Sequence, residues 1–404
     1  MDYFPAWPLN ITPLIAFGLM LVAGTIGGYL AHRVSWLPSI TGFMVVGCLC
    51  GPSGLGLLSQ ETIIGSRILI DIALSLILYR LGLSLDIKLL GKSPGLLFTS
   101  LFESGATFGL VFYVLLRFDM PVILATLSAA VAVSSSPAVL LHVAHEVGAR
   151  GVVTESTKTL VALNNLLSFV AFSAILPILH YTAGSDWTTI VWQPLYRLLG
   201  SLLLGAVLAF GLHTAALKTC QAAQYKLALV IGTIMVAVGL ADELKLSMLF
   251  VPLVIGVVIK SLERKAVCSD LEFGAAFELF FIVLFVFAGA GLHLSDLFEC
   301  APAVLALVLA RSLTKVLGVT AFSALLKKPY REGIASGLLL TPMAGLAIGL
   351  VLTTNRLFPQ HASSISAIVL GAVTVFETFG PPIAAFAFRL AGESSVRDPV
   401  LRNK

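Results

Sequence analysis

The sequence predicts an all-α polytopic membrane protein with about 13 transmembrane helices. Of its 404 residues, 58% are hydrophobic and only 11% are charged, and the mean hydropathy is +1.00. A soluble protein of this size cannot bury so much apolar surface. The apolar runs are long and continuous, whereas a transmembrane β-barrel would show short segments in which apolar and polar residues alternate. The basic residues are spread between these runs rather than clustered, so we expect no nucleic-acid partner.

Thirteen apolar segments are each near the length that an α-helix needs to cross the hydrocarbon core. They occupy residues 11–30, 37–57, 62–84, 94–117, 121–141, 155–180, 195–217, 225–241, 246–260, 272–292, 301–326, 332–354 and 363–388. The first segment has no basic residues before it and no small-residue cleavage site after it. We therefore expect a retained helix rather than a cleaved signal peptide.

Basic residues in the loops predict the orientation of these spans. When the loops are assigned alternately to two sides, 16 lysines and arginines fall on one side and five on the other. Cytoplasmic loops are the ones that carry an excess of Lys and Arg. We therefore expect a multi-pass protein of the cell (inner) membrane, with its N-terminus outside and its C-terminus in the cytoplasm.

Three consecutive hydroxyl residues interrupt the fifth span: Ser134, Ser135 and Ser136 precede Pro137. Pro137 has no backbone N–H, and it disfavours helical geometry in the residue before it. A broken helix leaves backbone groups without partners, which is tolerated only inside protein or beside a watery cavity. The segment predicts either a discontinuous helix at an ion or substrate site or a kinked helix whose serines bond back to their own turn.

The twelfth span contains the same sequence pattern, a hydroxyl residue followed by proline, at Thr341 and Pro342. Span 5 is the fifth of the first six spans, and span 12 is the fifth of the last six. The two run in opposite directions across the membrane, with span 7 between the two sets. This arrangement predicts an inverted-topology repeat whose two discontinuous helices cross near the midplane.

Two basic residues, Arg311 and Lys315, lie near the middle of span 11. Their i,i+4 spacing places both on one face of a helix. Burying two positive charges is costly unless they face a partner or a cavity. Glu103 in span 4 and Glu377 in span 13 are the candidate partners. For each acid, a structural ion pair is one interpretation and a titrating proton carrier is the other.

Two adjacent amides, Asn164 and Asn165, stand in the otherwise apolar span 6. Buried amides need hydrogen-bond partners. Their oxygens can coordinate a cation or their groups can bond to a broken helix. They can also link neighbouring helices without any further role.

Several short segments have amino-acid sequences that are similar to motifs of one known family. They are residues 37–43, 51–58, 81–86, 134–137, 148–151 and 285–294. Together they resemble the cation:proton antiporter superfamily, in the branch of Kef-type potassium/proton and NapA-type sodium/proton exchangers. The resemblance extends over nearly the whole membrane region.

This resemblance implies a transporter that exchanges a monovalent cation (Na⁺ or K⁺) for protons by alternating access, usually as a homodimer. It implies a moving core at about 94–180 and 301–388 and a scaffold at about 11–84 and 225–292. Residues 195–217 would form the linker helix. The implied partners are the cation, protons and the lipid bilayer, and no cofactor is expected.

The sequence departs from the family pattern in two respects. The family usually has an aspartate at the second position of the span-6 pair, where this chain has Asn165, and asparagine does not titrate. Kef-type proteins often carry a cytoplasmic nucleotide-binding domain, which we do not expect after span 13 here.

We expect the ion site to combine hydroxyls, amides and one relocated carboxylate. Its candidate members are Ser134, Ser135, Ser136, Pro137, Asn164, Asn165, Thr341, Glu377 and Glu103, with Arg311 and Lys315 compensating charge. Without the aspartate, the same fold could instead carry an anion or act without proton coupling. A non-transporting sensor or inactive relative is the third possibility. No nucleophile–base or metal-ligand constellation predicts an enzyme or a metal site.

Overall fold

The computed structural model describes residues 13–33, 39–52, 54–56, 67–84, 94–181, 187–219, 223–263, 274–290, 298–327, 329–343 and 345–394. Within these ranges the chain forms fifteen α-helices and one 3₁₀-helix, and no strand. The predicted all-α class is therefore confirmed. The helices are α1 (Pro13–His32), α2 (Ser39–Cys50), α3 (Arg67–Ser84), α4 (Pro94–Leu116), α5 (Val122–Ala132), α6 (Pro137–Glu146), α7 (Val152–Tyr181), α8 (Trp187–Thr219), α9 (Ala223–Glu243), α10 (Phe250–Leu262), α11 (Gly274–Ala290), α12 (Ala301–Leu325), α13 (Tyr330–Leu339), α14 (Gly345–Leu357) and α15 (Ala362–Ala391), with the 3₁₀-helix at Pro359–His361.

The thirteen expected spans map onto these helices in order. Eleven spans correspond to one helix each, and the fifth and twelfth each correspond to two helices, α5 with α6 and α13 with α14. By length and composition, six helices in the described part of the chain could each cross a membrane. They are Pro94–Leu116, Val152–Ile175, Leu195–Lys218, Tyr225–Glu243, Ala301–Leu325 and Pro359–Ala391.

The chain forms two compact units. The smaller unit comprises residues 1–73 and 273–295, and its helices α1, α2 and α11 pack against one another. Small residues allow this close approach: a Cβ atom added to Gly47 of α2 would collide with the backbone of Val286, and one added to Gly289 of α11 would collide with Met44. Small residues at helix contacts are how membrane helices bring their backbones together.

Helix α12 is the centre of the larger unit, which comprises residues 74–272 and 296–404. It packs against α4, α13 and α15. Gly318 leaves room for α4, because a Cβ atom there would lie 3.3 Å from Cα and Cβ of Glu103. This close approach positions Glu103 beside the basic face of α12.

The end of the last helix is bonded to the start of α7. Gly392, with φ of 74°, adopts the left-handed conformation that ends many helices. The next residue, Glu393, accepts hydrogen bonds from N–H of Val153 (2.7 Å), N–H of Thr154 (2.8 Å) and Oγ1 of Thr154 (2.7 Å). A carboxylate at this position satisfies N–H groups that the first turn of a helix leaves unpaired, and it complements the positive end of the helix dipole.

Candidate functional site

The two helix interruptions contact each other directly. Helix α5 ends at Ala132 and α6 begins at Pro137, while α13 ends at Leu339 and α14 begins at Gly345. Ser135 donates through Oγ to O of Leu340 (2.8 Å), and Ser136 donates through its backbone N–H to O of Pro342 (2.8 Å). We call this meeting point, residues 133–136 and 340–343, the crossover.

Arg311 of α12 places its guanidinium in the crossover. It donates from Nε to O of Ala132 (2.8 Å) and from Nη2 to O of Ser134 (2.5 Å). It also donates to O of Leu340 (3.3 Å) and to O of Thr341. The side chain is fully buried, and its Cζ atom lies 4.6 Å from the ring centroid of Phe376. The rigid fork of a guanidinium suits it to bind several carbonyl groups at once.

Lys315 lies one turn further along α12 and bonds to another carbonyl of the first interruption. Its Nζ donates to O of Val133 (2.7 Å), and it forms an ion pair with Oε1 of Glu103 at 2.8 Å. Both side chains of the pair are fully buried. Carbonyl groups 132, 133 and 134 of the first interruption are therefore all bonded to cations of one helix.

Glu103 belongs to a buried polar network. Its carboxylate accepts a bond from Oγ1 of Thr107 (2.9 Å) and one from Nδ2 of Asn164 (2.9 Å), besides the ion pair. The amide oxygen of Asn164 in turn accepts from Oγ of Ser100 (2.7 Å) and Ser104 (3.3 Å). A buried charge is tolerated when it is paired and hydrogen-bonded in this way. The structural ion pair considered for the acids is thus formed by Glu103 and Lys315.

Sequence reasoning missed the hydroxyl groups of this network. Ser100, Ser104 and Thr107 lie on the buried face of α4, and Oγ1 of Thr107 lies 3.0 Å from Oγ1 of Thr314 on α12. Their i, i+4 and i+7 spacing beside Glu103 is the signal that could have identified them. Threonine and serine in apolar helices usually bond back to their own turn, which masks this signal.

Asn165 bonds to the first interruption rather than to Glu103. Its Oδ1 accepts a bond from N–H of Ser135 (3.0 Å), and its Nδ2 donates to O of Ser135 (2.8 Å). The amide therefore matches both backbone groups of one residue that the broken helix leaves unpaired. An aspartate could accept the first bond but could not donate the second.

Within the crossover, the backbone carbonyls of residues 133–135 and 340–342 already have protein donors. Ala130 accepts from Oγ of Ser168 (2.7 Å), and Val131 accepts from N and Oγ of Ser134 (3.1 and 2.8 Å). Carbonyls 132 to 135 are bonded to Arg311, Lys315 and Asn165, and carbonyls 340 to 342 are bonded to Arg311, Ser135 and Ser136. The guanidinium of Arg311 alone bonds to four of these carbonyls, those of residues 132, 134, 340 and 341.

Glu377 differs from every other candidate. It is fully buried, yet neither carboxyl oxygen has a hydrogen-bond partner among the described residues. Its helix is close to the crossover: the preceding residue, Phe376, contacts Arg311, and a Cβ atom added to Gly380 would lie 3.1 Å from Pro342. Pro381, inside the same helix, has no N–H to donate to the backbone carbonyl of Glu377.

The sequence candidates are therefore distributed between two places. One network holds Ser134, Ser135, Ser136, Asn164, Asn165, Thr341, Glu103, Arg311 and Lys315. Pro137 forms the first residue of α6, and Glu377 stands apart with unpaired oxygens. No group of three or more His, Cys, Asp or Glu side chains in the described ranges could hold a metal ion.

Two interrupted helices that meet inside an all-α membrane bundle define a secondary transporter rather than an enzyme. The chain belongs to the sodium/hydrogen exchanger family, because the family model described as "Sodium/hydrogen exchanger, transmembrane" matches residues 18–388. The resemblance to the cation:proton antiporter superfamily is thus confirmed. The protein is a multi-pass membrane transporter of this family.

Solved structures of one antiporter share this fold. A structure at pH 8 of the sodium proton antiporter MjNhaP1 from Methanocaldococcus jannaschii is 19% identical, with a TM-score of 0.74 over 95% of this chain and 98% of that chain. An electron-microscopy map of the same antiporter gives 19% identity and a TM-score of 0.72 over 95% and 99%. A comparison with curated protein sequences finds no match.

Proposed function

We propose that the protein exchanges a monovalent cation, Na⁺ or K⁺, for protons by alternating access, and that Glu377 is the carboxylate for which the two compete. The observation that carries this proposal is the buried carboxyl of Glu377, whose two oxygens lack hydrogen-bond partners among the described residues. An isolated carboxylate is costly to bury. Binding either a proton or a cation removes that cost, so one group can exchange the two.

The surroundings of Glu377 favour this role over one at Glu103 or Asn165. The oxygens of Glu103 are occupied by Lys315, Thr107 and Asn164, and asparagine does not titrate. The backbone carbonyl of Glu377 lacks its usual helical donor because residue 381 is proline. Carboxylate and carbonyl oxygens are the groups with which proteins replace the hydration shell of hard cations.

The fixed charges at the crossover argue against the anion alternative. Arg311 directs its donors at four backbone carbonyls, and Lys315 directs its own at Val133 and Glu103. Donors that are already bonded to the protein have little to offer an anion. The positive side chains instead donate hydrogen bonds to the backbone carbonyls of the two helix interruptions.

We propose in addition how the helices are divided into domains and how the chain is oriented in the membrane. Residues 94–180 and 301–388 would form the moving core, residues 11–84 and 225–292 the scaffold, and residues 195–217 the linker helix. Charge asymmetry of the loops supports an outside N-terminus and a cytoplasmic C-terminus in the cell (inner) membrane. We further propose a homodimer, which is usual for the superfamily.

Transport in proteoliposomes tests the proposal. An internal pH dye is recorded while Na⁺, K⁺ or Li⁺ is added outside, for the wild type, Glu377→Gln and a matched control, Glu155→Gln. Glu155 is exposed, and among the described residues its carboxylate pairs with Lys158 alone. We expect cation-dependent proton movement in the wild type and the control and none in Glu377→Gln. Exchange that persists in Glu377→Gln would contradict the assigned role.

A further inference from the structure

Helix α7 begins without a capping side chain at the residue before it. That residue is Gly151, whereas serine, threonine, aspartate or asparagine commonly stands there and bonds to the first N–H groups of the helix. The carboxylate of Glu393 takes this role instead, because it accepts bonds from N–H of Val153 and from N–H and Oγ1 of Thr154. Glycine also leaves the room that is needed, since a Cβ atom added to Gly151 would collide with this carboxylate.

Two helix ends lie side by side at this contact. The chain leaves α6 through Gly148, with φ of 61°, and it leaves α15 through Gly392, with φ of 74°. A left-handed glycine of this kind ends a helix and turns the chain back across it. The two turns bring the following segments together, and N–H of Arg150 donates to O of Glu393 (3.2 Å). We call this set of bonds, from Glu393 to residues 150–154, the C-terminal latch.

The C-terminal latch lies at one end of the half-helix α6, and the crossover lies at the other end. With ten residues, α6 is too short to be stable by itself. Its first residue, Pro137, follows Ser136, whose N–H bonds to O of Pro342. Its apolar side belongs to one buried cluster with α15 and the start of α7. Apolar packing is non-directional, so the hydrogen bonds at the two ends of α6 set its register.

We propose that Glu393 is a positioning residue of the transporter, which keeps α6 and the start of α7 in register with α15. The inference rests on the proposed exchange function and adds to it a residue outside the ion site. Each helix that the C-terminal latch joins carries or adjoins a group of the candidate site. Ser136 directly precedes α6, Asn165 lies on α7 and Glu377 lies on α15. The latch thereby holds the crossover in place relative to Glu377.

Amide hydrogen exchange, followed by mass spectrometry, tests the C-terminal latch without relying on transport. Glu393→Gln keeps one acceptor oxygen but turns an NH₂ group toward a backbone N–H, so at least one bond is lost. Glu155→Gln is the matched control, because it removes the same charge from an exposed position in the first turn of the same helix. We expect amides of residues 147–157 to exchange about tenfold faster in Glu393→Gln, because an uncapped helix end opens more often. We expect unchanged rates in Glu155→Gln.

Transport kinetics test the positioning role. Both variants are reconstituted in proteoliposomes, and the rate of proton movement is measured as a function of cation concentration. A displaced crossover weakens the binding of the cation, so we expect Glu393→Gln to raise the half-saturating cation concentration roughly fivefold. We expect the value for Glu155→Gln to equal that of the wild type. A purely structural role would lower only the maximal rate, because less folded protein would be present.

Gly151→Ala disrupts the C-terminal latch from its other side, because the added methyl group displaces the carboxylate of Glu393. We expect the same two changes, faster amide hydrogen exchange and a higher half-saturating cation concentration. Substitutions that break one shared contact are not additive. Glu393→Gln should therefore add little to Gly151→Ala. Effects that add in full would show that the two residues do not act through one contact, and they would overturn the latch.

The other outcomes separate the inference from the proposed function. Unchanged amide hydrogen exchange in Glu393→Gln would overturn the C-terminal latch, and faster exchange with an unchanged half-saturating concentration would overturn the positioning role. If the wild type moves no protons in response to a cation, the proposed function fails and the positioning role fails with it, whereas amide exchange still decides whether the latch exists. If the wild type is active and Glu377→Gln is inactive while Glu393→Gln behaves as the wild type, only the inference fails.

Discussion

The two buried acids of the core, Glu103 and Glu377, have the same side chain and opposite surroundings. Both are fully buried, on helices that pack against α12. Glu103 bonds to a lysine, a threonine and an asparagine, whereas Glu377 has no hydrogen-bond partner in the described part of the chain. A carboxylate with all its oxygens occupied stabilises the fold, and one with none occupied is available to a ligand.

The local sequences explain the difference. Hydroxyl residues share the buried face of α4 with Glu103, and Gly318 of α12 lets Lys315 reach it. On the buried face of α15, Val373, Gly380 and Ala384 flank Glu377, and none of them can donate a side-chain hydrogen bond. The two helices thus surround one residue type with bonded partners at Glu103 and with none in the described ranges at Glu377.

The largest expected effect is on stability, at the paired acid. Glu103→Gln leaves the Lys315 ammonium buried without its counter-charge, which typically costs about 3–5 kcal/mol. Glu377→Gln removes no hydrogen bond seen in the structure, so we expect a smaller change than for Glu103→Gln. Unfolding by SDS titration measures both. Similar losses in the free energy of unfolding for the two variants would show that the two acids do not differ in their contribution to stability.

A third acid at the crossover sharpens the comparison. Asn165→Asp keeps the acceptor for N–H of Ser135 but loses the donor to its carbonyl, and it places two acceptors face to face. An unsatisfied buried group costs about 1–3 kcal/mol. We expect a loss of that size in the free energy of unfolding, measured by the same SDS titration.

The same variant also discriminates between the possible ligands. A carboxylate at residue 165 should preserve or improve cation exchange and should damage an anion carrier. A stability equal to that of the wild type would mean that the two amide bonds contribute little. An anion flux in the wild type that falls in Asn165→Asp would count against cation exchange as a whole.

A smaller effect than that of Asn165→Asp is expected from a neutral bond at the same interruption. Ser168→Ala removes the hydroxyl that donates to O of Ala130, and a neutral hydrogen bond contributes about 0.5–1.5 kcal/mol. SDS titration should therefore give a smaller loss than for Asn165→Asp. A loss as large as that of Glu103→Gln would mean that the location of a bond at the helix interruption, rather than the charge of the removed group, determines the loss of stability.

Much of the fold could be predicted from the sequence because its strongest signals are local. Apolar runs fix the spans, and the Ser136-Pro137 and Thr341-Pro342 pairs coincide with the interruptions that the structure has. Proline removes a backbone donor wherever it lies in a helix. Such a consequence does not depend on tertiary contacts, so a sequence reveals it.

The roles of the charged residues could not be predicted in the same way. Sequence spacing puts Arg311 and Lys315 on one face, but it does not say that Arg311 reaches both interruptions while Lys315 reaches Glu103. Nor does it distinguish the paired acid from the unpaired one. These outcomes depend on where a long side chain ends after two helices approach each other, as Gly318 allows for α4 and α12.

The hydrogen bonds between Glu393 and the first turn of α7 show that the contacts of α15 with the rest of its unit continue past the end of the helix. Val153 and Thr154 lie about three turns before Asn164 and Asn165 on the same helix, and α15 carries Glu377. Residues 392 and 393 therefore connect the two helices that hold the amides and the unpaired acid. A reporter or affinity tag joined directly after residue 391 would remove that connection, whereas a fusion beyond residue 394 would leave it intact.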